Sequence, residues 1–414
     1  MSARTGAVVA VGDELLLGDV VNTNAAWLGE ALAGAGVHVV HSAAVGDDVD
    51  RVARALRRAL EDADVVVVTG GLGPTVDDLT REAVAQVAGV PLERSAALEQ
   101  ALRDRFASYG FPFPEQARKQ ADVPRGAQAL DNRVGSAYGL RLEVDGRLLY
   151  ALPGPPHELR AVARDGVLPE LAALTQARVT TRQLKVAGLG ESMVAERVEA
   201  AVTVPEGVDL AYLAGEGVVR VRFSTDGDPA VLEPVVAAAA AALGDDVFTQ
   251  DDLALCEVVG AVLRDRGEFV ASAESLTGGM VGTALTGYDG SSSSYRGGLV
   301  VYATDLKHAL AGVPQDVLDA HGAVAPETAG ALAEGVRERA GAHWGLATTG
   351  VAGPQEQEGK AVGTVHVAVA GLDGTTVRSL RLPGDRDAVR AVTVTMVLDL
   401  LRRRLRDAPP AEGR

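Results

Sequence analysis

A serine behind a predicted strand is the first residue of this chain whose type and position could support catalysis. Ser275 follows the predicted strand 269–272 and precedes Gly278 and Gly279. A serine on a turn from a strand into a helix, with glycine N–H groups behind it, suits a nucleophile. None of the seven histidines stands in a sequence context that marks it as a base. A lysine is therefore the better candidate for the base.

Lysine is rare in this chain, and unlike arginine it can lose its proton when it is partly buried. The four lysines are Lys119, Lys185, Lys307 and Lys360. Lys307 follows the predicted strand 298–302 and stands five positions after Tyr302. Ser292 precedes that strand in a serine run that, by composition alone, is typical of a flexible linker. Serine, tyrosine and lysine side chains together can hydrolyse an amide without histidine.

A glycine-rich segment after the apolar residues 65–68 is the second candidate site. Gly70, Gly71 and Gly73 allow a sharp turn whose N–H groups can approach an anion. A helix predicted from Thr80 adds the positive end of its dipole. The segment lacks the Gly-Lys-Ser/Thr ending of a Walker loop and the third glycine of the dinucleotide-binding fingerprint.

Two aspartates in this segment predict a divalent metal ion, because hard cations bind carboxylates and bridge to phosphate. They are Asp77 and Asp78, shortly after Thr75. By spacing alone an alternative is equally good, namely that Asp78 or Thr80 only caps the following helix. Further polar and turn residues follow other predicted strands, and they are Asp13, Asn22, Asn24, Pro153 and Gly154. Ligands of parallel sheets bind beyond the carboxyl ends of strands, so we expect these residues to lie together.

The elements that must position these residues alternate between apolar strands and helices. Residues 1–170 contain predicted strands at 7–11, 37–41, 65–68 and 147–152 and predicted helices at 24–33, 49–61 and 80–88. Near-continuous apolar strands indicate a mostly parallel sheet that is covered on both faces. Residues 254–407 show a similar alternation and include a hairpin signal at Asp373-Gly374. We therefore predict two three-layer α/β domains.

The residues between these domains, 176–250, predict a smaller α+β unit. Its predicted strands are 182–186, 209–213 and 218–224, and its predicted helices are 192–201 and 230–243. Few polar residues cluster there, so we expect a linking or dimerising domain.

Charge and composition limit the classes of function. The chain has 414 residues and a net charge of −17, whereas a protein that neutralises nucleic-acid phosphates shows a basic excess or patch. The nearest basic run is typical of the solvated end of a helix and comprises Arg402, Arg403, Arg404 and Arg406. The single cysteine, Cys256, excludes an internal disulfide, and no apolar run is long enough for a membrane span. We expect a cytoplasmic protein that binds neither nucleic acid nor membrane.

Motifs along essentially the whole chain, in order, resemble the CinA family (competence/damage-inducible protein A). In the first domain they are residues 12–16 (Gly-Asp-Glu-Leu-Leu), 70–83 and 152–156 (Leu-Pro-Gly-Pro-Pro). In the last domain they are residues 273–279, 290–292, 298–302 with Lys307, 349–354 and 360–365.

The resemblance implies that the first domain has a molybdopterin-binding-like fold and is a metal-dependent pyrophosphatase acting on ADP-ribose. Residues 78–83 (Asp-Leu-Thr-Arg-Glu-Ala) match the ligand-site motif of that wider superfamily. Asp78 and Asp77 would hold the metal ion or polarise water, with Asp13 as a further carboxylate. The residues expected to bind substrate are Gly70, Gly71, Gly73, Thr75, Asn22, Asn24, Pro153 and Gly154.

For the last domain the resemblance implies a nicotinamide mononucleotide deamidase that needs no cofactor. Ser275 would be the nucleophile, Tyr302 and Lys307 the proton-handling pair, and Ser292 a supporting hydroxyl. Substrate binding is expected from Glu274, Thr277, Gly278, Gly279, Thr349, Gly350 and Gly353. The oxyanion would be held by N–H groups near residues 277–279 or around residues 350–353.

One departure from the family pattern concerns this last domain. Residues 355–358 (Gln-Glu-Gln-Glu) and Ala361 replace a glycine-rich stretch and a proline. Two carboxylates beside a phosphate-bearing substrate would weaken its binding unless they point away.

The middle domain resembles the KH-like domain of the family. Gly188 and Gly190 stand one residue too close for the Gly-x-x-Gly clamp that grips RNA, so we expect no RNA role. The resemblance also implies a homodimer and a place in pyridine nucleotide salvage. Two other functions stay open: the first domain could be a non-catalytic, regulatory ligand-binding module, or the chain could be a competence or DNA-damage accessory factor.

Overall fold

A computed structural model describes residues 4–175 and 179–410 of the chain. The chain divides into two compact units, Met1–Thr180 with Thr225–Asp228, and Thr181–Ser224 with Pro229–Arg414. The starts of the first and second predicted domains, residues 1–3 and 176–178, lie outside the described residues.

The first unit is built on a sheet in the order β2-β1-β3-β8-β7-β6. Its strands are β1 (Arg4–Val11), β2 (Val37–Val45), β3 (Val65–Thr69), β4 (Leu92–Arg94), β5 (Asp122–Pro124), β6 (Gln128–Leu130), β7 (Gly139–Val144) and β8 (Arg147–Leu152). Its helices are α1 (Asp13–Leu17), α2 (Thr23–Gly34), α3 (Val49–Asp62), α4 (Thr80–Ala88), α5 (Ala96–Ser108), α6 (Pro156–Val162) and α7 (Leu168–Leu174). Strands β2, β1, β3 and β8 are parallel, whereas β7 and β6 continue the sheet antiparallel.

Strand β3 shows why its sequence is apolar throughout. Val66 and Val68 pack against Leu56 of α3 and Val84 of α4 on one face of the sheet. The other face of the strand packs against α2 and α6. Both faces are therefore covered, which gives the predicted three layers.

The second unit contains two sheets. Its strands are β9 (Thr180–Ala187), β10 (Asp209–Gly215), β11 (Val218–Thr225), β12 (Val247–Thr249), β13 (Val270–Glu274), β14 (Tyr295–Val300), β15 (Trp344–Gly350), β16 (Thr364–Gly371) and β17 (Gly374–Arg381). Its helices are α8 (Glu191–Ala201), α9 (Leu232–Leu243), α10 (Leu255–Arg266), α11 (Met280–Thr286), α12 (Thr304–Ala309), α13 (Gln315–His321), α14 (Pro326–Arg339) and α15 (Arg386–Asp407).

The smaller sheet has the order β10-β11-β9-β12, and α8 and α9 cover it with Val194, Val198, Val235 and Ala239. The larger sheet has the order β14-β13-β15-β16-β17, in which β13 runs parallel to both of its neighbours. Val270 faces α10, α11 and α15, whereas the next residue along β13 faces α14. The fold is therefore two three-layer α/β parts and one small α+β part, as predicted.

The basic end of α15 is not simply solvated, contrary to the sequence-based expectation. Asp399 is fully buried and accepts hydrogen bonds from Arg402 Nε (2.9 Å) and Arg403 Nε (2.7 Å). Arg403 also donates to Asp246, and Arg406 pairs with Asp245. These arginines join α15 to the acidic residues that follow α9, because guanidinium and carboxylate groups on packed elements form charge-assisted hydrogen bonds.

Among the described residues, none of the helices is both long and apolar enough to cross a membrane.

Candidate active sites

The serine and lysine singled out in the sequence lie side by side in the second unit. Ser275 directly follows β13, and its N–H donates to Thr348 O of β15 at 3.0 Å. Lys307 lies on α12, and its Nζ is 3.2 Å from Ser275 Oγ. Because β13 and β14 are parallel, their carboxyl ends deliver both residues to the same edge of the sheet.

The amino group of Lys307 is removed from water. The residue is 1% exposed, and its Nζ also donates to Val301 O at 2.8 Å and Tyr302 O at 3.2 Å. Burial lowers the pKa of Lys307, while the carboxylates of Glu358 and Asp305 act in the opposite direction. A lysine with a lowered pKa is neutral to a larger extent at a given pH, and the neutral form is the one that acts as a base.

The hydroxyl of Tyr302 does not contact this pair. Tyr302 follows the end of β14 rather than lying within the strand, and the residue is 60% exposed. Its Oη accepts a hydrogen bond from Arg386 Nη2 at 3.0 Å, and only its backbone carbonyl contacts Lys307. Of the residues that the structure describes, Lys307 is therefore the one that contacts the serine hydroxyl, and Tyr302 and Arg386 lie elsewhere on the cleft wall.

Glu274, predicted to bind substrate, is instead committed to holding the turn that carries Ser275. The residue is 2% exposed. Its carboxylate accepts hydrogen bonds from Thr277 Oγ1 (2.8 Å) and from the N–H groups of Gly279 (2.9 Å), Val281 (3.0 Å) and Gly282 (2.8 Å). The N–H groups at the start of a helix lack intrahelical partners, and this carboxylate supplies them.

Thr277 and Thr349, also predicted to bind substrate, have buried hydroxyls with partners inside the protein. Thr277 Oγ1 lies 2.7 Å from Thr348 Oγ1, and Thr349 Oγ1 donates to Ala323 O at 2.7 Å. These hydroxyls hold the loops around the site. A sequence motif does not distinguish such a structural role from ligand binding.

The two predicted oxyanion loops differ in the hydrogen bonds that they already make. The N–H of Gly278 donates to Ser275 O at 3.1 Å, and that of Gly279 is held by Glu274. Residues 350–353 line the cleft that contains Ser275 and Lys307, although the N–H of Val351 already donates to Thr364 O at 2.8 Å. The second loop is therefore the better candidate through Ala352 and Gly353.

This cleft has a volume of 120 Å³. Among the residues that line it are Ser275, Tyr302, Lys307, Gly350, Gly353, Gln355, Gln357 and Arg386. Glu358 does not line it, because its carboxylate accepts hydrogen bonds from the N–H groups of Ala323 and Val324, both at 3.2 Å. Lys360 donates to Val324 O, so the segment that differs from the family pattern, residues 355–361, is held by hydrogen bonds of both Glu358 and Lys360. This acidic side chain thus points away from the space open to a substrate.

Ser292 is not brought to this site. It is exposed in a turn that precedes the amino end of β14, whereas Lys307 follows the carboxyl end of that strand. The length of the strand therefore separates Ser292 from Ser275 within one chain. Among the described residues, no contact of Ser292 corresponds to the supporting role that the resemblance implies.

In the first unit, most of the predicted substrate-binding residues line one cleft of 540 Å³. They are Asn22, Asn24, Gly70, Gly71, Gly73, Pro153 and Gly154, together with Asp77 and Asp78. Thr75 and Asp13 are not among the lining residues. The carboxyl ends of β1, β3 and β8 meet here, since Ala10 pairs with Thr69 and Thr69 pairs with Leu152.

Hydrogen bonds connect the segments that form the walls of this cleft. Asn24 Nδ2 donates to Gly154 O at 2.7 Å, and Thr69 Oγ1 donates to Pro153 O at 2.9 Å. Gly70 has a φ of +100°, and a Cβ at this position would overlap the carbonyl oxygen of Val11. Only glycine fits there, so the glycine-rich motif reflects the close approach of β1 and β3.

Asp78 holds the glycine loop closed. Its Oδ2 accepts hydrogen bonds from the N–H (2.8 Å) and the hydroxyl of Thr75. Lys119 fixes the same loop from outside, donating to Thr75 O at 2.8 Å and Asp78 O at 2.7 Å. Thr75 is therefore part of the scaffold. The sequence offered one signal for Lys119, its rarity, but no local pattern linked it to this loop.

The predicted metal ligands do not form a three-carboxylate site. Asp13 exchanges hydrogen bonds with Asp47, and within residues 4–175 and 179–410 no three His, Cys, Asp or Glu side chains are grouped to hold a metal ion. Burial and the carboxylates of Asp13, Glu14 and Asp77 raise the pKa of Asp47. Asp77 and Asp78 still line the cleft. This donor set fits a cation such as Mg²⁺ that keeps few protein ligands and takes the rest from substrate phosphates.

Comparisons with known proteins agree with this architecture. Residues 7–173 match the family model "Probable molybdopterin binding domain", residues 181–249 match "Damage-inducible protein CinA KH domain" and residues 252–405 match "CinA C-terminal domain". A CinA-like protein of Frankia casuarinae is 48% identical over 98% of this chain and 97% of its own length. One of Anaeromyxobacter is 41% identical over 96% and 98%.

A crystal structure of the protein CinA, of unknown function, from Thermoplasma acidophilum is 36% identical. It covers 41% of this chain and 98% of its own, with a TM-score of 0.39. Together, the family models and the full-length relatives show that the chain belongs to the CinA family.

Proposed function

We propose that the second unit is a deamidase that hydrolyses the carboxamide of nicotinamide mononucleotide to nicotinate mononucleotide and ammonia. The observation that carries the proposal is the buried Lys307 amino group 3.2 Å from Ser275 Oγ, at the mouth of a small cleft. A buried lysine beside a serine can activate an amide-cleaving nucleophile without histidine.

The proposed reaction has two halves. Neutral Lys307 takes the hydroxyl proton of Ser275, and Oγ bonds to the carboxamide carbon. The C–N bond then breaks, ammonia leaves with a proton returned from Lys307, and water hydrolyses the resulting ester to regenerate Ser275. N–H groups of Ala352 and Gly353 stabilise the oxyanion, a contact worth about 3–4 kcal/mol of the barrier. Arg386 places a positive charge in the same cleft for an anionic substrate.

The test is ammonia release from nicotinamide mononucleotide. Ser275→Ala removes the nucleophile and is expected to lower kcat at least a thousandfold. Lys307→Met is expected to have a similar effect, because serine then lacks a base. Ser108→Ala, an exposed serine of α5, serves as the control. Ammonia release by Ser275→Ala at the wild-type rate would refute the assignment.

A second function is supported by the cleft of the first unit, metal-dependent cleavage of ADP-ribose. Its glycine loop and the capped start of α2 suit a pyrophosphate. Asp77 and Asp78 would hold the divalent cation, which would neutralise the charge of the two phosphates. The chain's own residues bind and orient the substrate here, with Lys119 and Thr75 keeping the loop in shape.

Phosphate-bond cleavage with and without Mg²⁺ tests this second function. Asp78→Asn is expected to abolish cleavage of ADP-ribose and to leave deamidation unchanged. Asp77→Asn keeps the Thr75–Asp78 contact. It therefore distinguishes the loss of a metal-binding carboxylate from a change in the conformation of the loop. If the wild-type protein cleaves no ADP-ribose with any divalent metal, the first unit is a ligand-binding module. Salt-dependent DNA binding would instead favour the accessory role suggested by the family name.

A further inference from the structure

One wall of the cleft in the first unit holds a buried amide with an unused polar atom. Gln120 is 2% exposed, and its Nε2 donates to Ser136 Oγ at 3.3 Å. Its Oε1 has no hydrogen-bond partner among the described residues. Buried polar atoms without partners are costly and rare, so an unpartnered one in a ligand cleft marks a place where a ligand completes the bond.

Two more oxygen-bearing groups stand beside this amide in a fixed arrangement. Gly135, the neighbour of Ser136, packs against the carboxyl group of Glu158, so closely that a Cβ at Gly135 would overlap it. The fully buried Asn132 holds both, donating to Glu158 Oε2 at 2.6 Å and accepting from the N–H of Gly135 at 2.9 Å. Gln120, Ser136 and Glu158 all line the cleft.

We propose that this wall, formed by Gln120, Ser136 and Glu158, is a subsite for the vicinal hydroxyls of a ribose phosphate. A carboxylate that accepts from a ribose hydroxyl is a recurring mode of nucleotide recognition. A hydroxyl both donates and accepts, so it suits the amide and the serine as well. Glu158 would repel a phosphate, so this wall fits the sugar and leaves the phosphates to the glycine loop. The inference rests on the nucleotide-binding role proposed for this cleft.

The test compares ligands that differ by one hydroxyl, because ADP-ribose contains two riboses. Titration calorimetry of the full chain with Mg²⁺ measures Kd for AMP against 2′-deoxy-AMP, and for ribose 5-phosphate against 2-deoxyribose 5-phosphate. Loss of a hydrogen bond to buried partners is expected to weaken binding about tenfold within the pair whose ribose occupies the subsite. Gln120→Met is expected to bring that ratio close to one.

Controls make the ratio specific. Gln86→Met changes an exposed glutamine of the same unit, which contacts Asp50, and should keep the ratio. Ser136→Ala gives a second reading if Gln120→Met does not fold. Equal affinities within both pairs in the wild type, or no measurable binding of either ribose phosphate, would overturn the subsite. Discrimination without cleavage of ADP-ribose would instead refute the pyrophosphatase and leave the subsite standing.

Discussion

At the level of single residues, the role of Glu358 in the structure differs from the one that its sequence position predicts. From the sequence it was a carboxylate expected to oppose an anionic substrate. In the structure it caps the N–H groups of Ala323 and Val324 and raises the pKa of Lys307 against the effect of burial. The same charge therefore acts on the proposed base, although the Glu358 side chain itself does not line the cleft.

This charge predicts a change in the pH dependence of deamidation. Neutral Lys307 is the active form, so kcat/KM rises as the pH increases through the lowered pKa of Lys307 and then levels off. Glu358→Gln removes a negative charge, lowers that pKa further and moves the acidic limb to lower pH. The measurement is kcat/KM against pH.

Glu356→Gln is the matched control, because Glu356 is an exposed neighbour for which no hydrogen bond or ion pair is seen in the described part of the chain. It should leave the profile in place. A limb that stays fixed or moves to higher pH in Glu358→Gln would contradict the assignment of Lys307 as the base.

At the scale of elements, the turn between β13 and α11 depends on one buried carboxylate. Glu274 accepts hydrogen bonds from three N–H groups and from the hydroxyls of Thr277 and Ser272, and the turn that it shapes carries Ser275. Glu274→Gln places an NH₂ group against donors and is expected to reduce the free energy of unfolding by about 2–3 kcal/mol. It should also lower kcat for deamidation, because Ser275 loses its fixed position relative to Lys307.

Urea unfolding together with ammonia release checks this prediction. Glu257→Gln is the comparison, since Glu257 is less buried than Glu274 and accepts the N–H of Ala254 at the start of α10. We expect that change to cost about 1 kcal/mol or less and to leave deamidation intact. Wild-type stability and rate in Glu274→Gln would show that the carboxylate is not the group that shapes the turn.

At the scale of the whole molecule, which has a net charge of −17, the basic end of α15 has specific acidic partners. The arginines at the end of α15 pair with Asp399 and with Asp245 and Asp246, which follow α9. Ala187 and Phe248 of the smaller sheet also join the apolar core under α15. The small α+β part and the last α/β part of the second unit are thus held by both charge and apolar packing.

Asp399→Asn tests the importance of this ion-pair cluster. Removal of a fully buried carboxylate leaves two guanidinium groups without their shared partner and is expected to cost about 2–4 kcal/mol of unfolding free energy. Arg406→Ala removes an exposed pair and should cost less than about 1 kcal/mol. Chemical denaturation of the full chain measures both, and equal effects would argue against a buried cluster that joins the two parts.

The fold class, the family and the two candidate sites could be predicted from the sequence. Apolar periodicity, glycine spacing and the motif order are local properties, and strands such as β3 and β8 follow from them directly. The antiparallel edge formed by β6 and β7 was missed, because these strands carry weaker apolar runs than the parallel ones.

Contacts between distant segments determine which polar residues face the clefts and which hold the loops around them. Ser275 and Lys307 are separated by 32 positions, and the parallel pairing of β13 and β14 brings them within hydrogen-bond distance. The same packing turns Glu274 and Thr277 inward, leaves Ser292 at the far end of β14 and places Arg386 on the cleft. Motifs record residue types, whereas burial and hydrogen-bond partners arise from contacts between segments distant in the chain.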